Sequence, residues 1–306
     1  MPLKLIFMGT PEFAVPILKS IKESKHKIIS VYTQPPKKSR RGQKLNKSPI
    51  HQYCIESNLD IRYPNRINDQ KELEYIKNIK PDIIVVVAYG KILNQEFLSI
   101  KRLNFLNIHA SLLPRWRGAA PIQRALIEMD KETGISIMKI VLKLDAGPVM
   151  LQEKIKIEKN DNFISLSNKL SKLGSKLILK SLDIIEAKNQ KFKDQNEHEA
   201  TYANKITKEE TKVNWKIPAN KIIAKIKGLS PFPGIWFNHK KTRLKIIEAV
   251  EVQKSGKPGE VIENNLTIAC GNNSIKILSI QKEGKKILST ENFLAGYNLK
   301  KGENLI

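Results

Sequence analysis

Apolar residues in the first part of this 306-residue chain fall in short runs that alternate with amphipathic stretches. The run Ile83–Ala88 is rich in β-branched residues and contains no polar one, which is typical of a strand covered on both faces of a sheet. Strands are predicted at residues 3–8, 27–33, 83–88 and 103–109. Helices are predicted at residues 12–24, 51–58 and 70–79. Thr10 and Pro11 are the expected N-cap and first-turn residue of the first helix.

This alternation predicts a doubly wound α/β domain with a parallel sheet, in which ligands bind beyond the carboxyl ends of the strands. Two apolar runs, 135–142 and 149–157, flank Asp-Ala-Gly-Pro and predict adjacent strands, and residues 163–187 predict a long amphipathic helix. The following residues are polar, with little apolar periodicity, and are interpreted as a linker. Beyond it, one helix (219–227) precedes short strands broken by turns, which indicates a small barrel. The predicted division of the chain is 1–187, linker 188–210, and 211–306.

The composition narrows the class of protein. Lys and Arg number 54 against 30 acidic residues, giving a net charge of +24, which points to a polyanionic partner, although lysines on solvated faces give the same total. Cys54 and Cys270 can build neither a disulfide framework nor a metal site, and no metal is expected. No Gly-x-Gly-x-x-Gly follows the first strand, so no dinucleotide cofactor is expected. Without a membrane-length apolar run or a signal-peptide layout, the protein is expected to be cytoplasmic. It is also expected to be a monomer.

Candidate chemistry is concentrated at the end of the fourth predicted strand. Side chains of a strand alternate between faces, so Asn107 and His109 point to the same side. An amide there can donate to a developing oxyanion while an imidazole moves a proton, and Asp145 is the candidate carboxylate that holds the imidazole. Taken singly, each residue has an ordinary role in a core or turn. The order of the motifs along the chain favours the catalytic interpretation.

The segment Asn-Ile-His-Ala-Ser-Leu-Leu-Pro-Arg-Trp-Arg-Gly (107–118), with Asp145 following at that distance, resembles the catalytic core of the folate-dependent formyltransferases. Gly-Leu-Ser-Pro-Phe-Pro-Gly at 228–234 narrows the resemblance to members that act on methionyl-tRNA, and the resemblance extends from Met8 to about Leu244. It implies a Rossmann-like formyltransferase domain followed by an OB-like β-barrel, a fold often used for nucleic acid. The implied reaction is formyl transfer from 10-formyltetrahydrofolate to the amine of methionyl initiator tRNA.

The resemblance also implies residue roles. The implied catalytic residues are Asn107, His109 and Asp145. The implied folate-binding loop is Ser111, Leu112, Leu113 and Pro114. A loop of this composition can cover a pterin, although a plain loop with buried leucines has the same sequence. The opposite wall is expected from Val87, Tyr89 and Gly90. Arg115 and Arg117 either face the glutamate tail of folate or are solvated, and the sequence leaves both open.

A basic segment between Gln34 and Lys47 contains six basic residues and no acid. Such a run is ordinarily a solvated loop, but it follows the second strand, at the sheet end where the active site is expected. In the resembling family a basic insertion here grips the tRNA acceptor end, and Arg41 matches its key arginine, whereas Gln43 replaces a basic residue of the family pattern. The predicted tRNA-binding residues are Lys37, Lys38, Arg40, Arg41 and Lys44.

Two other functions stay open at this point. A small-molecule formyltransferase, acting on glycinamide ribonucleotide or an amino sugar, would keep the same three catalytic residues but would explain neither the basic segment nor a basic barrel. A nonenzymatic RNA-binding module would explain the charge and the barrel but not the Asn-His-Asp set. Formyl incorporation into methionyl-tRNA, into the small molecule, or into neither separates the three functions.

Overall fold

The computed structural model describes residues 1–39, 44–100 and 104–306, and at residues 38, 39 and 44 it describes the backbone alone. Strands β1 to β17 are, in chain order, Lys4–Gly9, Lys27–Tyr32, Lys37–Ser39, Lys44–Asn46, Ile61–Arg62, Ile83–Val87, Asn104–His109, Arg117–Gly118, Glu132–Lys139, Val149–Lys156, Tyr202–Ala203, Ile235–His239, Thr242–Val252, Val261–Glu263, Thr267–Ala269, Ser274–Lys282 and Ile287–Ser289. Helices α1 to α8 are Val15–Lys22, Pro49–Glu56, Gln70–Ile79, Gln95–Leu98, Pro121–Ile127, Phe163–Glu186, Ala219–Leu229 and Thr290–Ala295.

The chain forms two compact units. The first comprises Met1–Gly118, Glu132–Lys156 and Ser167–Tyr202. The second comprises Ala119–Lys131, Ile157–Leu166 and Ala203–Ile306. The division predicted at residues 187 and 210 stays a prediction. Within the first unit, however, the segment interpreted as a linker is attached to the sheet, because Lys193 and Val149 exchange two backbone hydrogen bonds of 2.8 and 2.9 Å.

The first unit is built on a seven-stranded sheet in the order β10-β9-β7-β6-β1-β2-β5. The five strands from β7 to β5 are parallel, and β9 and β10 are antiparallel to their neighbours, which confirms the predicted doubly wound α/β class. All five residues of β6 are buried, as its unbroken apolar sequence predicts. The chain passes from β1 to β2 and β5 on one side and returns to β6 on the other. A ligand crevice is therefore expected at the tips of β1 and β6.

The tip of β1 differs from its prediction. Thr10 was expected to cap the first helix, but its hydroxyl donates to the carbonyl of Tyr89 at 2.9 Å, across the crevice. The helix instead starts with a 3₁₀ turn, Glu12–Ala14, capped by Pro11 without a side-chain hydrogen bond, and continues as α1. Thr10 does not cap the helix because its hydroxyl is hydrogen-bonded to the Tyr89 carbonyl, beyond the end of β6. It thereby ties the tip of β1 to that of β6.

The second unit contains an antiparallel sheet in the order β12-β13-β16-β15-β14, with β17 paired to β16. This agrees with the short strands predicted there. Helix α7 covers the sheet with Ile222, Ile226 and Leu229, which share one apolar core with the inward residues Phe237 and Ile246. Across the part of the chain that is described, no helix is long and apolar enough to cross a membrane.

Candidate active site

The end of β7 and the turn between β9 and β10 bring the three predicted catalytic residues together. The Asn107 amide donates to Oδ1 of Asp145 at 3.3 Å. Nδ1 of His109 lies 3.6 Å from Oδ2 of the same carboxylate. The His109 and Asp145 side chains are 7% and 12% exposed, so an electrostatic interaction between them is only weakly screened by water. Asn107 and His109 thus lie on the same side of β7, as the alternation of side chains along a strand predicts.

Asp145 is held in an uncommon backbone conformation. Its φ of 47° lies in the left-handed region, which a residue with a Cβ rarely adopts. The Gly118 N–H donates to Oδ2 at 2.9 Å, and the Gln195 side-chain amide donates to the Asp145 carbonyl at 2.8 Å. The carboxylate and the main chain of this residue are therefore fixed by separate partners.

The imidazole of His109 lies between two oxygens. Nε2 is 2.8 Å from the carbonyl of Trp116, on the opposite side of the ring from the Asp145 carboxylate. Trp116 itself has a φ of 64°, and its N–H donates to the Thr201 hydroxyl at 2.9 Å. Each ring nitrogen therefore faces an oxygen atom, Nε2 at hydrogen-bond distance and Nδ1 at 3.6 Å.

Arg117, which the sequence left open, is neither solvated nor directed at a ligand. Its fully buried guanidinium forms two hydrogen bonds of 2.9 and 3.1 Å to the Glu197 carboxylate, and its Nε donates to Oε1 of Gln195 at 3.0 Å. Pairing with Arg117, and then with Lys143, lowers the pKa of Glu197 to about 2. The same pairing raises the pKa of Arg117. An ion pair between the buried Arg117 and the half-exposed Glu197 is thus linked to the Asp145 turn through Gln195.

The predicted folate loop is held by hydrogen bonds within the protein. The Ser111 hydroxyl donates to the Arg115 carbonyl at 2.6 Å. Ser136 Oγ donates to the Ser111 carbonyl at 2.6 Å and accepts from the Leu113 N–H at 3.1 Å. The Gln152 amide donates to the Leu113 carbonyl at 3.0 Å. The loop is therefore preorganised, and the Ser111 hydroxyl serves the loop itself.

The tip of β6 presents backbone to the crevice. The side chains of Val87 and Tyr89, both predicted to line a ligand site, are buried in the core, at 0% and 1% exposure. Ala88 and Gly90 are exposed, with φ of 47° and 78°. The Tyr89 carbonyl accepts from the Gln34 amide at 3.0 Å. A ligand at this tip meets backbone atoms, and the role of Val87, Tyr89 and Gly90 stays a prediction.

The basic segment forms a short antiparallel pair, β3 with β4. Lys37 Nζ donates to Oε1 of Gln34 at 2.9 Å, which links the start of the pair to the tip of β6. The predicted residues Arg40 and Arg41 lie outside the described residues, and of Lys38 and Lys44 the backbone alone is described. Their contact with tRNA stays a prediction.

Sequence reasoning missed the contribution of residues 195–197. These polar residues lie about 50 positions after Asp145 and follow no helical or strand period, so no local pattern marks them as part of a site. Their role becomes visible only when Gln195 and Glu197 are seen in contact with the Asp145 turn and Arg117.

Elsewhere in the described part of the first unit, His26, Asp183 and Glu186 have potential metal-ligand atoms within 4.8 Å of one another. The two carboxylates are already paired with ammonium groups, because Lys25 Nζ lies 2.9 and 2.7 Å from them and the N-terminal amine lies 3.2 Å from Glu186. The cluster is thus explained as an ion-pair network.

Known proteins resemble this chain in sequence and in fold. The formyl transferase family matches residues 3–182, and the formyl transferase C-terminal domain matches residues 205–298. The methionyl-tRNA formyltransferase of Pelagibacter ubique is 50% identical over 304 residues, covering 99% of this chain and 98% of the relative. HypX from Aquifex aeolicus in complex with tetrahydrofolic acid has a TM-score of 0.68 at 16% identity, over 96% of this chain and 47% of the HypX chain. Methionyl-tRNA formyltransferase from Clostridium thermocellum has a TM-score of 0.57 at 18% identity, over 82% of this chain and 94% of that one.

Proposed function

Because this chain belongs to the formyl transferase family, we propose that it transfers the formyl group of 10-formyltetrahydrofolate to the free amino group of methionyl initiator tRNA. The observation that carries the proposal is the convergence of Asn107, His109 and Asp145 at one strand tip. The 50% identity to a methionyl-tRNA formyltransferase over nearly the whole length of both chains supports the choice of acceptor.

The reaction needs one new bond, one broken bond and one net proton transfer. The unprotonated methionyl amine attacks the formyl carbon, and the carbonyl electron pair moves onto oxygen. The carbonyl re-forms as the bond to N10 of the folate breaks. The amine loses a proton and N10 gains one, so no covalent enzyme intermediate is required. The protein must stabilise the oxyanion and move that proton.

The Asn107 side chain is suited to stabilising the oxyanion. A side-chain amide has two N–H donors, and the hydrogen bond to Asp145 uses one of them, so the other is available for the reacting oxygen. The same hydrogen bond fixes the orientation of the amide before substrates arrive. A donor fixed in this way stabilises developing charge without first having to reorganise.

The His109 imidazole is suited to transferring the proton. The Asp145 carboxylate beside Nδ1 stabilises positive charge on the ring, while Nε2 exchanges the Trp116 carbonyl for a substrate atom. The burial of both side chains strengthens their electrostatic interaction, because dielectric screening is weaker away from water. Asp145 thus acts through the imidazole and does not itself receive the proton.

The two substrates are assigned to neighbouring surfaces of the first unit. The preorganised loop 111–114 and the exposed backbone of Ala88 and Gly90 suit a flat pterin, which needs apolar cover and backbone hydrogen bonds at its edge. The basic residues of the segment 34–47, including Lys37 and Arg41, suit the phosphates of the tRNA acceptor end. We propose that the protein works as a monomer in the cytoplasm, where translation consumes its product.

The experiment that tests the proposal offers the purified protein three acceptors with 10-formyltetrahydrofolate: methionyl initiator tRNA, glycinamide ribonucleotide and a nucleotide-linked amino sugar. The proposal expects formyl transfer to methionyl-tRNA to exceed transfer to either small molecule in kcat/KM. Preferential transfer to a small molecule would show that the protein is a small-molecule formyltransferase. Binding of tRNA without any transfer would indicate the RNA-binding module.

A further inference from the structure

We propose that Gln195 is a positioning residue for the reaction, which holds Asp145 at the distance from Asn107 and His109 that catalysis requires. The inference rests on the proposed function, since it assigns a role within that site. It concerns a residue in a polar segment that carries no sequence motif, about 50 positions beyond Asp145.

The side-chain amide of Gln195 fixes the main chain of the Asp145 turn. Its Nε2 donates to the carbonyl of Asp145 at 2.8 Å and to the carbonyl of Gly147 at 2.7 Å. These two carbonyls are two residues apart, so one amide group bridges Asp145 and Gly147. Asp145 has its φ at 47° there, and a left-handed residue with a Cβ persists only where surrounding contacts impose it.

The orientation of the Gln195 amide is itself determined. Arg117 Nε lies 3.0 Å from Oε1 of Gln195, and a guanidinium can only donate, so this atom must be the amide oxygen. The NH₂ group therefore faces the two turn carbonyls. Arg117 cannot rotate away, because its buried guanidinium is bonded at two points to Glu197.

Arg117 is also adjacent in sequence to a residue that binds the Asp145 carboxylate. The residue after Arg117 is Gly118, whose N–H donates to Oδ2 of Asp145 at 2.9 Å. Gln195 fixes the carbonyl of Asp145 and Gly118 its carboxylate, and both contacts adjoin Arg117, whose buried guanidinium is held by Glu197. If Gln195 releases the carbonyl, the turn can relax toward an ordinary φ, and the 3.6 Å contact between Asp145 and His109 should lengthen.

Kinetics can separate positioning from general stabilisation of the fold. Gln195→Leu keeps most of the volume and removes the amide, and Gln190→Leu makes the same exchange at an exposed glutamine of the same segment. We expect Gln195→Leu to lower kcat for methionyl-tRNA by about 10- to 100-fold, with little change in either KM, because small misplacements cost this much. Gln190→Leu should behave as wild type.

A double-mutant cycle tests the route of the effect. If Gln195 acts through Asp145, adding Gln195→Leu to Asp145→Asn should cost no more than about 2- to 3-fold further, since the group being positioned has lost its function. Full multiplication of the two losses, or an unchanged kcat for Gln195→Leu alone, would overturn the role.

A crystal structure of Gln195→Leu supplies a readout that needs no activity. The proposal expects the Asp145 carbonyl to rotate and the distance from Asp145 Oδ2 to His109 Nδ1 to exceed the present 3.6 Å. An Asp145 turn that keeps its position would refute the inference even if the protein were found to formylate another acceptor. Absence of formylation by the wild type, by contrast, would refute the proposed function and leave this structural test decisive for Gln195.

Discussion

The Gly118 N–H donates a hydrogen bond of 2.9 Å to Oδ2 of Asp145, the same oxygen that faces the His109 imidazole. One oxygen therefore faces both a backbone N–H and the imidazole that we propose to be catalytic. An asparagine at this position can keep its carbonyl oxygen on the Gly118 N–H, but it carries no negative charge toward the imidazole and no longer accepts from Asn107.

Asp145→Asn should therefore preserve the turn and reduce the rate more than substrate binding. We expect a kcat lower by at least about 100-fold, because the charged imidazole loses its counter-ion, with KM values close to wild type. The measurement is the pH–rate profile of formylation for both proteins, with circular dichroism as the check on folding. Superimposable profiles would show that the carboxylate does not act on the imidazole.

Acid should weaken the ion pair behind the turn. The pKa of Glu197 is lowered from its ordinary value of 4.5 to about 2 by Arg117 and Lys143. A lowered carboxyl pKa contributes stability that is present above about pH 4.5 and is lost as the pH falls toward 2. Glu197→Gln should therefore be less stable than wild type at pH 7, and the difference should shrink in acid.

Thermal unfolding from pH 7 to pH 2.5 measures this difference. Glu199→Gln is the matched control, because its exposed carboxylate accepts from the neighbouring Asn196 amide and has no part in the Arg117 pair. A gap between wild type and Glu197→Gln that is constant over the whole range would mean that the ion pair does not titrate as described.

A substitution at Gly134 tests whether the position of the predicted folate loop matters for folate binding. A Cβ there would lie 2.2 Å from the Glu153 carbonyl oxygen and 2.5 Å from Cδ2 of Leu112. Gly134→Ala should destabilise the protein by about 1–3 kcal/mol and displace the loop, which should raise KM for 10-formyltetrahydrofolate. Gly296→Ala is the control, since no atom lies within 4 Å of its added Cβ. Equal folate KM and unfolding temperature for the two variants would remove Leu112 from the proposed folate site.

The basic segment gives a prediction about the tRNA. Arg41→Ala should lower kcat/KM strongly and weaken discrimination between initiator and elongator tRNA, because placement of the acceptor end is coupled to the rate. It should also flatten the salt dependence of tRNA binding. Kinetics on both tRNAs at several salt concentrations test this. A small loss, equal for the two tRNAs, would make the segment an ordinary solvated loop.

The sequence predicts the parts of this protein that depend on local periodicity. Ile83–Val87 is a strand because its apolar run is covered on both faces, and Asn107 and His109 share a side because side chains alternate along β7. The resemblance in motif order then identifies Asp145, which the structure places beside both of them.

The remaining features depend on contacts between distant segments, which no local pattern encodes. The sequence predicts Thr10 as a helix cap because it stands before Pro-Glu, yet its hydroxyl donates to the carbonyl of Tyr89, two residues after β6. The sequence leaves Arg117 open between a folate contact and solvent, because its partner Glu197 lies 80 residues later. Gln195 lies in a polar stretch without period, so its hydrogen bonds to the Asp145 turn appear only in the folded chain.

The most direct measurement is the single-turnover rate of formyl transfer to methionyl initiator tRNA by wild type, Asn107→Ala and His109→Ala, each with saturating 10-formyltetrahydrofolate. The proposed mechanism predicts that each variant folds and binds both substrates but transfers formyl about 100- to 1000-fold more slowly, because each loses one group that acts on the transition state. A folded variant that formylates at the wild-type rate would contradict the role assigned to its residue, and two such variants would contradict the active site proposed for this protein.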